Sequence, residues 1–413
     1  MKMQNVFMIG WEYPPHNSGG LGVACQGLTE ALSQDKTRII FSLPYQFTQD
    51  VSHMQMLSCI DASWETSLST VLYPPFSTYT SSGVATEYAV SDSISPEKLR
   101  TLPHSELEQR VQEYATVVET HSKQVGKKTD VVHAHDWMSF PAAQRLQHST
   151  GKPFVAHVHS TEFDRAGLTS GNHYIEKIEH EGMMAADRVI AVSYYTKSLL
   201  VNRYGISSDK IDVVHNGAIP PQVQPDPGTH HFAHKRPVIV FMGRLTLHKG
   251  VQYFLQLAES VLQKVPEALF IVAGSGDMYH ELLLTTARQH LSASVLFSGF
   301  VRSAQRDTLL DRADVFVMPS ISEPFGLVAV EAAQRHTPVI ISKNAGVSEV
   351  MKGAISLDFW DLQQMTQAIT TILQNPEKKQ QIITNQLSDL EQITWKNAAQ
   401  KVKASYMQAL LGK

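Results

Sequence analysis

The sequence predicts an α/β protein made of two doubly wound, Rossmann-like domains with parallel sheets. Two observations support this prediction. Short β-branched runs alternate with helical patterns along the 413-residue chain, which is typical of parallel strands joined by crossover helices. The alternation stops once, at residues 219–237, and then restarts. At about 100–200 residues per domain, the length also suits two domains.

In the first half, the apolar runs predict strands at residues 6–9, 39–42, 131–134, 154–158, 189–192 and 212–214. Amphipathic patterns between them predict helices, among them 21–32, 107–122 and 194–204. Residues 48–95 are rich in Ser and Thr, and both an extra hairpin and long loops over the site would fit them.

Residues 219–237 contain five prolines. Because proline lacks an amide and fixes φ, we interpret this stretch as an interdomain linker between a first domain at 1–218 and a second at 238–394. The second half predicts a helix near 251–264 and strands at residues 238–242, 269–273, 295–298, 315–318 and 339–341. A last amphipathic helix, 395–411, follows.

Composition and charge argue against several functional classes. The formal net charge is −4 and no long run of Lys or Arg occurs, so nucleic acid is not expected as a partner. Cys25 and Cys59 make neither a disulfide framework nor a CxxC pair. No run of about 18 apolar residues could span a bilayer, and the apolar start is too short for a signal peptide. We therefore expect a cytoplasmic protein without an integral membrane segment.

Ligands of open α/β sheets bind beyond the carboxyl ends of the strands, which predicts a site in the cleft between the domains. The first strand-to-helix loop ends in Gly19 and Gly20. Glycine lets the backbone approach a ligand, and the free amides of a helix start attract an anion. A tight turn with positive φ explains the two glycines equally well. The loop also lacks the Gly-x-Gly-x-x-Gly pattern of nicotinamide-binding proteins.

Two His-x-His patterns end neighbouring predicted strands: His133 with His135, followed by Asp136, and His157 with His159. Alternate residues of a strand share a face, and these side chains have the chemistry of a zinc site. Histidines hydrogen-bonded within the fold are the favoured alternative, so we predict no metal. Asp136 and His159 stand nearest to the strand ends, where ligand contact is expected.

The loop GRLTLHKG at residues 243–250 follows the first strand of the second half. Arg244 offers a planar fork of donors and Lys249 a compact positive charge, which together suit a diphosphate and a departing nucleoside diphosphate. The next strand ends in AGSGD, residues 273–277. There Asp277 is predicted to cap a helix, with Gly274 close to the nucleotide.

The segment SEPFGLVAVEA, residues 322–332, gives the strongest signal. Pro324 suits the first turn of a helix, which places Glu323 in the loop just before it. Glu331, about two turns into the helix, has apolar neighbours in the sequence, and a charge there is costly unless it binds something. The amides expected to face an anion at this helix start belong to Phe325, Gly326 and Leu327.

Together, the Gly-Arg-x4-Lys-Gly loop, the Glu-x7-Glu pair of Glu323 and Glu331, and the loop at His159 resemble retaining glycosyltransferase family 4. The resemblance covers nearly the whole chain in the same order, and it implies the GT-B fold. The Gly-Gly-Leu loop and the His-Asp-Trp run further resemble the glycogen and starch synthase branch.

The resemblance implies how the donor is held. Arg244 and Lys249 would bind the diphosphate and Glu331 the ribose hydroxyls. The family needs no metal, so no cofactor is expected besides the nucleotide sugar itself. The last helix resembles one that crosses back onto the first domain.

The resemblance also implies how the transferred sugar is held. Glu323, helped by the amides after it, would contact the sugar hydroxyls, and His159 would bond the sugar. Gly19 and Gly20 would approach the diphosphate from the first domain, and Asp136 would lie near the sugar or the acceptor.

Two positions depart from the bacterial glycogen synthases: Asn17 replaces a lysine of the first loop, and Glu331 replaces a residue that is usually aromatic. Archaeal synthases keep both glutamates. The resemblance thus implies retaining transfer of a hexosyl group, glucosyl first, from ADP-glucose or UDP-glucose to a carbohydrate acceptor such as an α-glucan. Alternatives are a lipid or small-molecule acceptor, a sugar-nucleotide 2-epimerase of the same fold, an inactive carbohydrate-binding protein and, least of all, a dehydrogenase.

Overall fold

The computed structural model describes residues 4–16, 19–45, 47, 49–59, 104–122, 128–169, 171–218 and 236–412. Helices and parallel strands alternate through this part of the chain, which confirms the α/β prediction. The chain forms two compact units. The first comprises Met1–Val158, Asn172–Ile190 and Val402–Lys413, and the second comprises His159–Gly171 and Ala191–Lys401.

Seven strands of the described residues form the first sheet, and the predicted ones form within two residues of their expected bounds. They are β1 (Gln4–Ile9), β2 (Thr37–Leu43), β3 (Gln55–Ser58), β4 (Val131–His135), β5 (Phe154–Val158), β6 (Arg188–Ala191) and β7 (Ile211–Val213). Their order is β3-β2-β1-β4-β5-β6-β7. β1 pairs in parallel with β2 and β4, and β4 with β5. β3 lies in the stretch 48–95, of which residues 60–95 fall outside the described part.

The helices of the first half begin and end at recognisable signals. They are α1 (Gly20–Gln34), α2 (His104–Ser122), α3 (Phe140–Thr150), α4 (Glu162–Arg165), α5 (His173–Ala185) and α6 (Tyr194–Tyr204). The side chain of Ser193 caps α6 by accepting from the amide of Thr196, and α6 ends at Gly205 with φ of +64°. α3 likewise ends at a glycine with positive φ, Gly151.

The second sheet has six parallel strands: β8 (Val238–Met242), β9 (Leu269–Ala273), β10 (Val295–Gly299), β11 (Val315–Met318), β12 (Val339–Ser342) and β13 (Ile355–Leu357). Their order is β10-β9-β8-β11-β12-β13. The chain moves outward from β8 to β10 and then crosses over to β11. The carboxyl ends of β8 and β11 therefore flank a topological switch point, where open sheets bind ligands.

Helices cover both faces of the second sheet. They are α7 (Val251–Leu262), α8 (Tyr279–Arg288), α9 (Ser303–Asp311), α10 (Leu327–Gln334), α11 (Leu362–Gln374) and α12 (Pro376–Leu390), followed by α13 (Trp395–Leu411). Because alternate strand residues point to opposite faces, Phe241 enters one core with Phe254 and Phe270, and Val240 enters the other with Phe316.

The remaining predictions concern the last helix, the interdomain linker and membrane-spanning helices. α13 forms at its predicted bounds, but residues 219–235 of the predicted linker lie outside the described part. The domain boundaries at 218 and 238 therefore stay predictions. Within the described residues, none of the helices combines the length and apolar character needed to cross a membrane.

Candidate active site

The loop that follows β8 carries Arg244 and packs against the loop that follows β9. Gly243 donates to the carbonyl of Ala273, and Leu245 donates to that of Ser275, each at 2.9 Å. A Cβ on Gly274 would lie 1.8 Å from the Gly243 carbonyl oxygen. Glycine at 274 is therefore needed to let the two backbones meet, and it fixes the loop on which Arg244 stands.

The predicted cap at Asp277 is wrong. α8 begins at Tyr279, with Met278 in the capping position and no side-chain capping bond. The amide of Met278 instead donates to the Leu245 carbonyl at 3.0 Å. A backbone contact with the Arg244 loop has taken the place of a side-chain cap.

An ion pair joins the loops after β8 and β11. Lys249 Nζ lies 2.7 Å from Glu323 Oε2, and both side chains are largely buried. The amides of Ile321 and Ser322 both donate to the carbonyl of His248, at 2.9 and 3.3 Å. The predicted cation and the predicted sugar-binding carboxylate are thus brought together at the switch point.

The backbone of Glu323 is held on a second side by the loop after β12. Its amide donates to the Asn344 carbonyl at 3.0 Å, and its carbonyl accepts from Gly346 at 2.9 Å. A Cβ on Gly346 would lie 2.1 Å from the carbonyl oxygen of Pro324. Glycine at 346 is required for this close packing, which leaves Glu323 little freedom.

The helix after Glu323 starts later than predicted. α10 begins at Leu327, and Gly326 is its capping residue with φ of +107°. Pro324 therefore precedes the helix instead of lying in its first turn. The left-handed backbone at Gly326 ends the extended segment, and a Cβ there would meet the Met318 side chain at 2.7 Å. Phe325 is buried beneath the loop.

Glu331 lies in the second turn of α10 and is paired. Its Oε1 accepts from Arg306 Nη1 at 2.7 Å, and Arg306 also contacts Asp307 at 2.9 Å. Burial raises the pKa of Glu331, and the Arg306 guanidinium offsets part of that rise. Its side chain keeps 20% of its surface exposed, so a ligand could still reach the carboxylate.

His159 follows β5 and belongs to the second unit, with Lys249 and Glu323. Desolvation lowers its pKa to about 3. The imidazole is therefore neutral at pH 7, and in this state one ring nitrogen donates and the other accepts. A neutral ring suits hydrogen bonding to sugar hydroxyls.

In the first unit, Gly19 caps α1 and Gly20 is its first residue. Gly19 has extended backbone, and a Cβ there would meet no atom within 4 Å. The expected alternative, a turn that needs positive φ, is therefore wrong for Gly19. Neither backbone strain nor crowding explains the glycine, and close approach of a ligand stays the prediction for it.

Asp136, directly after β4, has φ of +60° and ψ of 173°. This conformation is essentially restricted to glycine, and in other residues it costs about 1–3 kcal/mol and clusters at functional sites. The amide of Asp136 donates to the His157 carbonyl at 2.9 Å, and its carbonyl accepts from Ser139. The backbone around Asp136 is thus held in a strained state that aims a buried carboxylate.

His133, His135 and His157 offer possible ligand atoms within 4.8 Å of one another. His133 uses Nδ1 to bond the Tyr406 hydroxyl at 2.5 Å and Nε2 to bond His157 Nδ1 at 3.1 Å. The rings of His133 and His135 stack with centroids 4.3 Å apart. A metal lies in the plane of each ligand ring, so stacked rings are poorly placed to share one. The arrangement fits hydrogen-bonded histidines better than a metal site.

The sequence matches two family models. Residues 83–220 match "Glycosyltransferase Family 4" and residues 224–388 match "Glycosyl transferases group 1". Both models describe glycosyltransferases, and the chain is a glycosyltransferase. The glycosyltransferase is 27% identical to an uncharacterised glycosyltransferase of Methanocaldococcus jannaschii over 98% of each chain.

Further comparisons agree with the fold and the branch. The glycosyltransferase is 30% identical to a glycogen synthase of Mycobacterium tuberculosis over 265 residues, which cover 61% of this chain and 62% of that one. A sucrose-phosphate synthase of Thermosynechococcus elongatus superposes with a TM-score of 0.77 at 18% identity, covering 99% of this chain and all of the other. The GT-B fold implied by the sequence resemblance is confirmed.

Sequence reasoning missed two polar residues that contact the predicted site of the glycosyltransferase. Arg306 pairs with Glu331, and Asp164 accepts from Ser322 at 2.5 Å. The run from Thr161 to Asp164 matches a capping box. This signal could have predicted a helix start at Thr161 with the Asp164 side chain hydrogen-bonded to it. Nothing in the sequence around Arg306 indicates its partner.

Proposed function

We propose that this glycosyltransferase moves a glucosyl group, with retention of configuration, from ADP-glucose or UDP-glucose to a carbohydrate acceptor, with an α-glucan as the first candidate. The observation that supports this best is the ion pair of Lys249 with Glu323 at the switch point of the second sheet, beside the loop of Arg244. Two cations suit a diphosphate, and the carboxylate suits the hydroxyls of the transferred sugar.

In the proposed reaction, the bond from the sugar C1 to the β-phosphate oxygen breaks while a bond from C1 to the acceptor oxygen forms on the same face. The acceptor proton passes to a β-phosphate oxygen of the departing nucleoside diphosphate. Arg244 and Lys249 stabilise the negative charge that develops there. Glu323 and neutral His159 orient the sugar, which lowers the entropy cost of reaching the transition state.

We propose that the reaction needs no metal. The positive charge that a divalent ion would supply to the diphosphate comes from Arg244 and Lys249. Activity that is unchanged by EDTA would support this assignment. A loss in EDTA that Mg²⁺ or Mn²⁺ restores would contradict it.

The test is release of nucleoside diphosphate from a panel of UDP-, ADP- and GDP-sugars, with and without glycogen or maltooligosaccharides. Release from one glucose donor that glucan stimulates, with an α-linked product by NMR, is the expected result. Release that glucan does not stimulate would support transferase activity and would favour a lipid or a small molecule as the acceptor. An altered sugar on the recovered nucleotide, without release, would favour the 2-epimerase.

One variant tests the assignment of Arg244. We expect Arg244→Ala to lower kcat/KM by roughly 100-fold, or about 3 kcal/mol, because the leaving diphosphate loses a charge-stabilising donor. Arg288→Ala, at an exposed arginine of α8, is the matched control and should leave the rate unchanged. Wild-type turnover by Arg244→Ala would refute the role.

A further inference from the structure

A buried chain of hydrogen bonds leads to the residue before Glu323. Ser322 Oγ donates to Asp164 Oδ1 at 2.5 Å, and the hydroxyl of Tyr195 lies 2.9 Å from Ser322 Oγ. Because Ser322 Oγ gives its single proton to Asp164, Tyr195 is the donor in the other bond. Asp164 and Ser322 are both completely buried.

The second oxygen of Asp164 is used differently. Oδ2 accepts from the amide and from the hydroxyl of Thr161, each at 2.8 Å, and closes a capping box around α4. A fully buried carboxylate is costly unless donors surround it, and here three donors do so. The two oxygens of Asp164 therefore serve two separate chain segments.

Those two segments carry predicted sugar contacts. His159 lies five residues before Asp164, and Ser322 directly precedes Glu323. The backbone of Ser322 is also held by the His248 carbonyl at 3.3 Å, next to Lys249. Fixing the Ser322 side chain thus removes the remaining freedom of this turn.

We propose that Asp164 is a positioning residue for sugar transfer: through Ser322 it fixes Glu323 in place relative to the segment that starts at His159. The proposal rests on the proposed transferase function. Asp164 touches no reacting atom in it. It keeps two sugar-binding side chains at a set separation, and small misplacements of such groups are costly for catalysis.

A helix cap alone does not account for the residue. Thr161 is the N-cap of α4, and Asp164, at the third position of the capping box, needs one acceptor oxygen for its bond back to Thr161, which Asn would supply as well as Asp. Asn at 164 has a single acceptor oxygen. If this oxygen faces Ser322, the amide NH₂ faces the two donors of Thr161, and if the oxygen faces Thr161, the NH₂ faces the hydroxyl of Ser322. Asp is the side chain of this size with two acceptor oxygens, so Asp164→Asn must break one of the two connections.

The experiment compares Asp164→Asn, Ser322→Ala, the double variant and Thr161→Val. Each is assayed for kcat and KM with the active donor, for nucleoside diphosphate affinity by calorimetry, and for melting temperature. We expect kcat to fall about 10- to 100-fold in Asp164→Asn and Ser322→Ala. Nucleoside diphosphate affinity should stay within about twofold of wild type, because Arg244, Lys249 and Glu331 bind that part of the donor.

Two comparisons make the result specific. The double variant should be no slower than the slower single variant, because both substitutions break the same bond. Tyr195→Phe removes a neighbouring hydroxyl but keeps the bond from Ser322 to Asp164, and it should retain kcat within about threefold.

Three outcomes would overturn the inference. Wild-type kcat in Ser322→Ala, with Thr161→Val as slow as Asp164→Asn, would reduce Asp164 to a helix cap. Loss of nucleotide affinity and melting temperature in parallel with kcat would indicate general unfolding. Both results require an active wild-type enzyme, so they would leave the proposed transferase function standing. A wild type that releases nucleoside diphosphate from no donor would overturn the proposed function and this inference together.

Discussion

Lys249 Nζ lies 2.7 Å from the carboxylate of Glu323, although 74 positions separate the two residues in the chain. Only 19% of the lysine side chain and 11% of the glutamate side chain are exposed. In an ion pair that is shielded from water, removing one partner leaves the other charge poorly solvated. Such a removal therefore costs more free energy than it does in an exposed pair. The lysine expected to face the diphosphate therefore also holds the carboxylate predicted to bind the sugar in place.

We expect Lys249→Ala to lower kcat/KM roughly 100-fold, or about 3 kcal/mol, from loss of charge at the leaving group. In a double-mutant cycle with Glu323→Gln, the two losses should fall short of additivity by at least about 1 kcal/mol. Initial rates of nucleoside diphosphate release measure both. Lys343→Ala is the control, because its pair with Asp358 at 2.8 Å is exposed. Fully additive losses would contradict the pairing.

The pair of Glu331 and Arg306 predicts a pH effect. Burial raises the pKa of Glu331 and Arg306 lowers it, so Arg306→Leu should raise that pKa further. The carboxylate is lost as the pH falls through its pKa. Donor binding by the variant should therefore weaken at a higher pH than in wild type. Calorimetric titration of nucleoside diphosphate between pH 5 and 8 measures this, with Arg288→Leu as the control. Parallel profiles for wild type and Arg306→Leu would refute it.

Two glycines with similar backbone form a matched pair. Gly250 has φ of +69°, and a Cβ there would lie 1.9 Å from the Pro319 carbonyl oxygen. Gly205 has φ of +64° and open space around that position. Gly205→Ala should cost about 1–2 kcal/mol of unfolding free energy from the left-handed backbone alone.

Gly250→Ala should cost at least about 2 kcal/mol more than Gly205→Ala, because a backbone clash adds to the same strain. It should also reduce activity by displacing Lys249. Urea unfolding and the release assay measure the two effects. Equal destabilisation of the two variants would show that the loop after β8 moves to accommodate the added methyl group at no cost in free energy.

The bond of Tyr406 to His133 predicts a stability effect within the first unit. Tyr406→Phe removes the hydroxyl that bonds buried His133 Nδ1 at 2.5 Å, at a cost of about 1–3 kcal/mol. Tyr194→Phe is the control, because Tyr194 is 64% exposed and should change stability by less than about 0.5 kcal/mol. Thermal unfolding monitored by circular dichroism distinguishes them. Equal melting temperatures for both variants would count against a structural role for this bond.

The elements that the sequence predicted correctly are those whose local pattern and tertiary role agree. The apolar run of residues 238–242 is buried in the sheet, and it forms β8 at its expected bounds. β3 and β13 were missed because they are short and only partly buried, so no apolar run marks them. At α10 the preference of Pro324 for a first turn lost to the left-handed backbone of Gly326, which tertiary packing imposes.

The residues of the candidate site also fall into those that the sequence could single out and those that it could not. The closeness of Lys249 to Glu323 could be expected because both stand in loops that follow strands, where parallel sheets gather their ligands. The binding roles of Arg244, Lys249 and Glu323 stay predictions. The contact of Asp164 with Ser322 joins positions 158 apart, and that of Arg306 with Glu331 joins two helices. No periodicity or spacing in a single sequence records which distant residues will meet.

The bond between His133 and Tyr406 also has a consequence for biosynthesis. The two residues stand 273 positions apart, and residues from Val402 onward belong to the first compact unit. At about 5–20 residues per second, a ribosome needs roughly 14–55 s to travel from one codon to the other. Throughout that interval the nascent first unit lacks its closing helical turns. Its maturation therefore waits until residues 402–413 have been made, and a chain stalled before them would leave the earliest-made part unfinished.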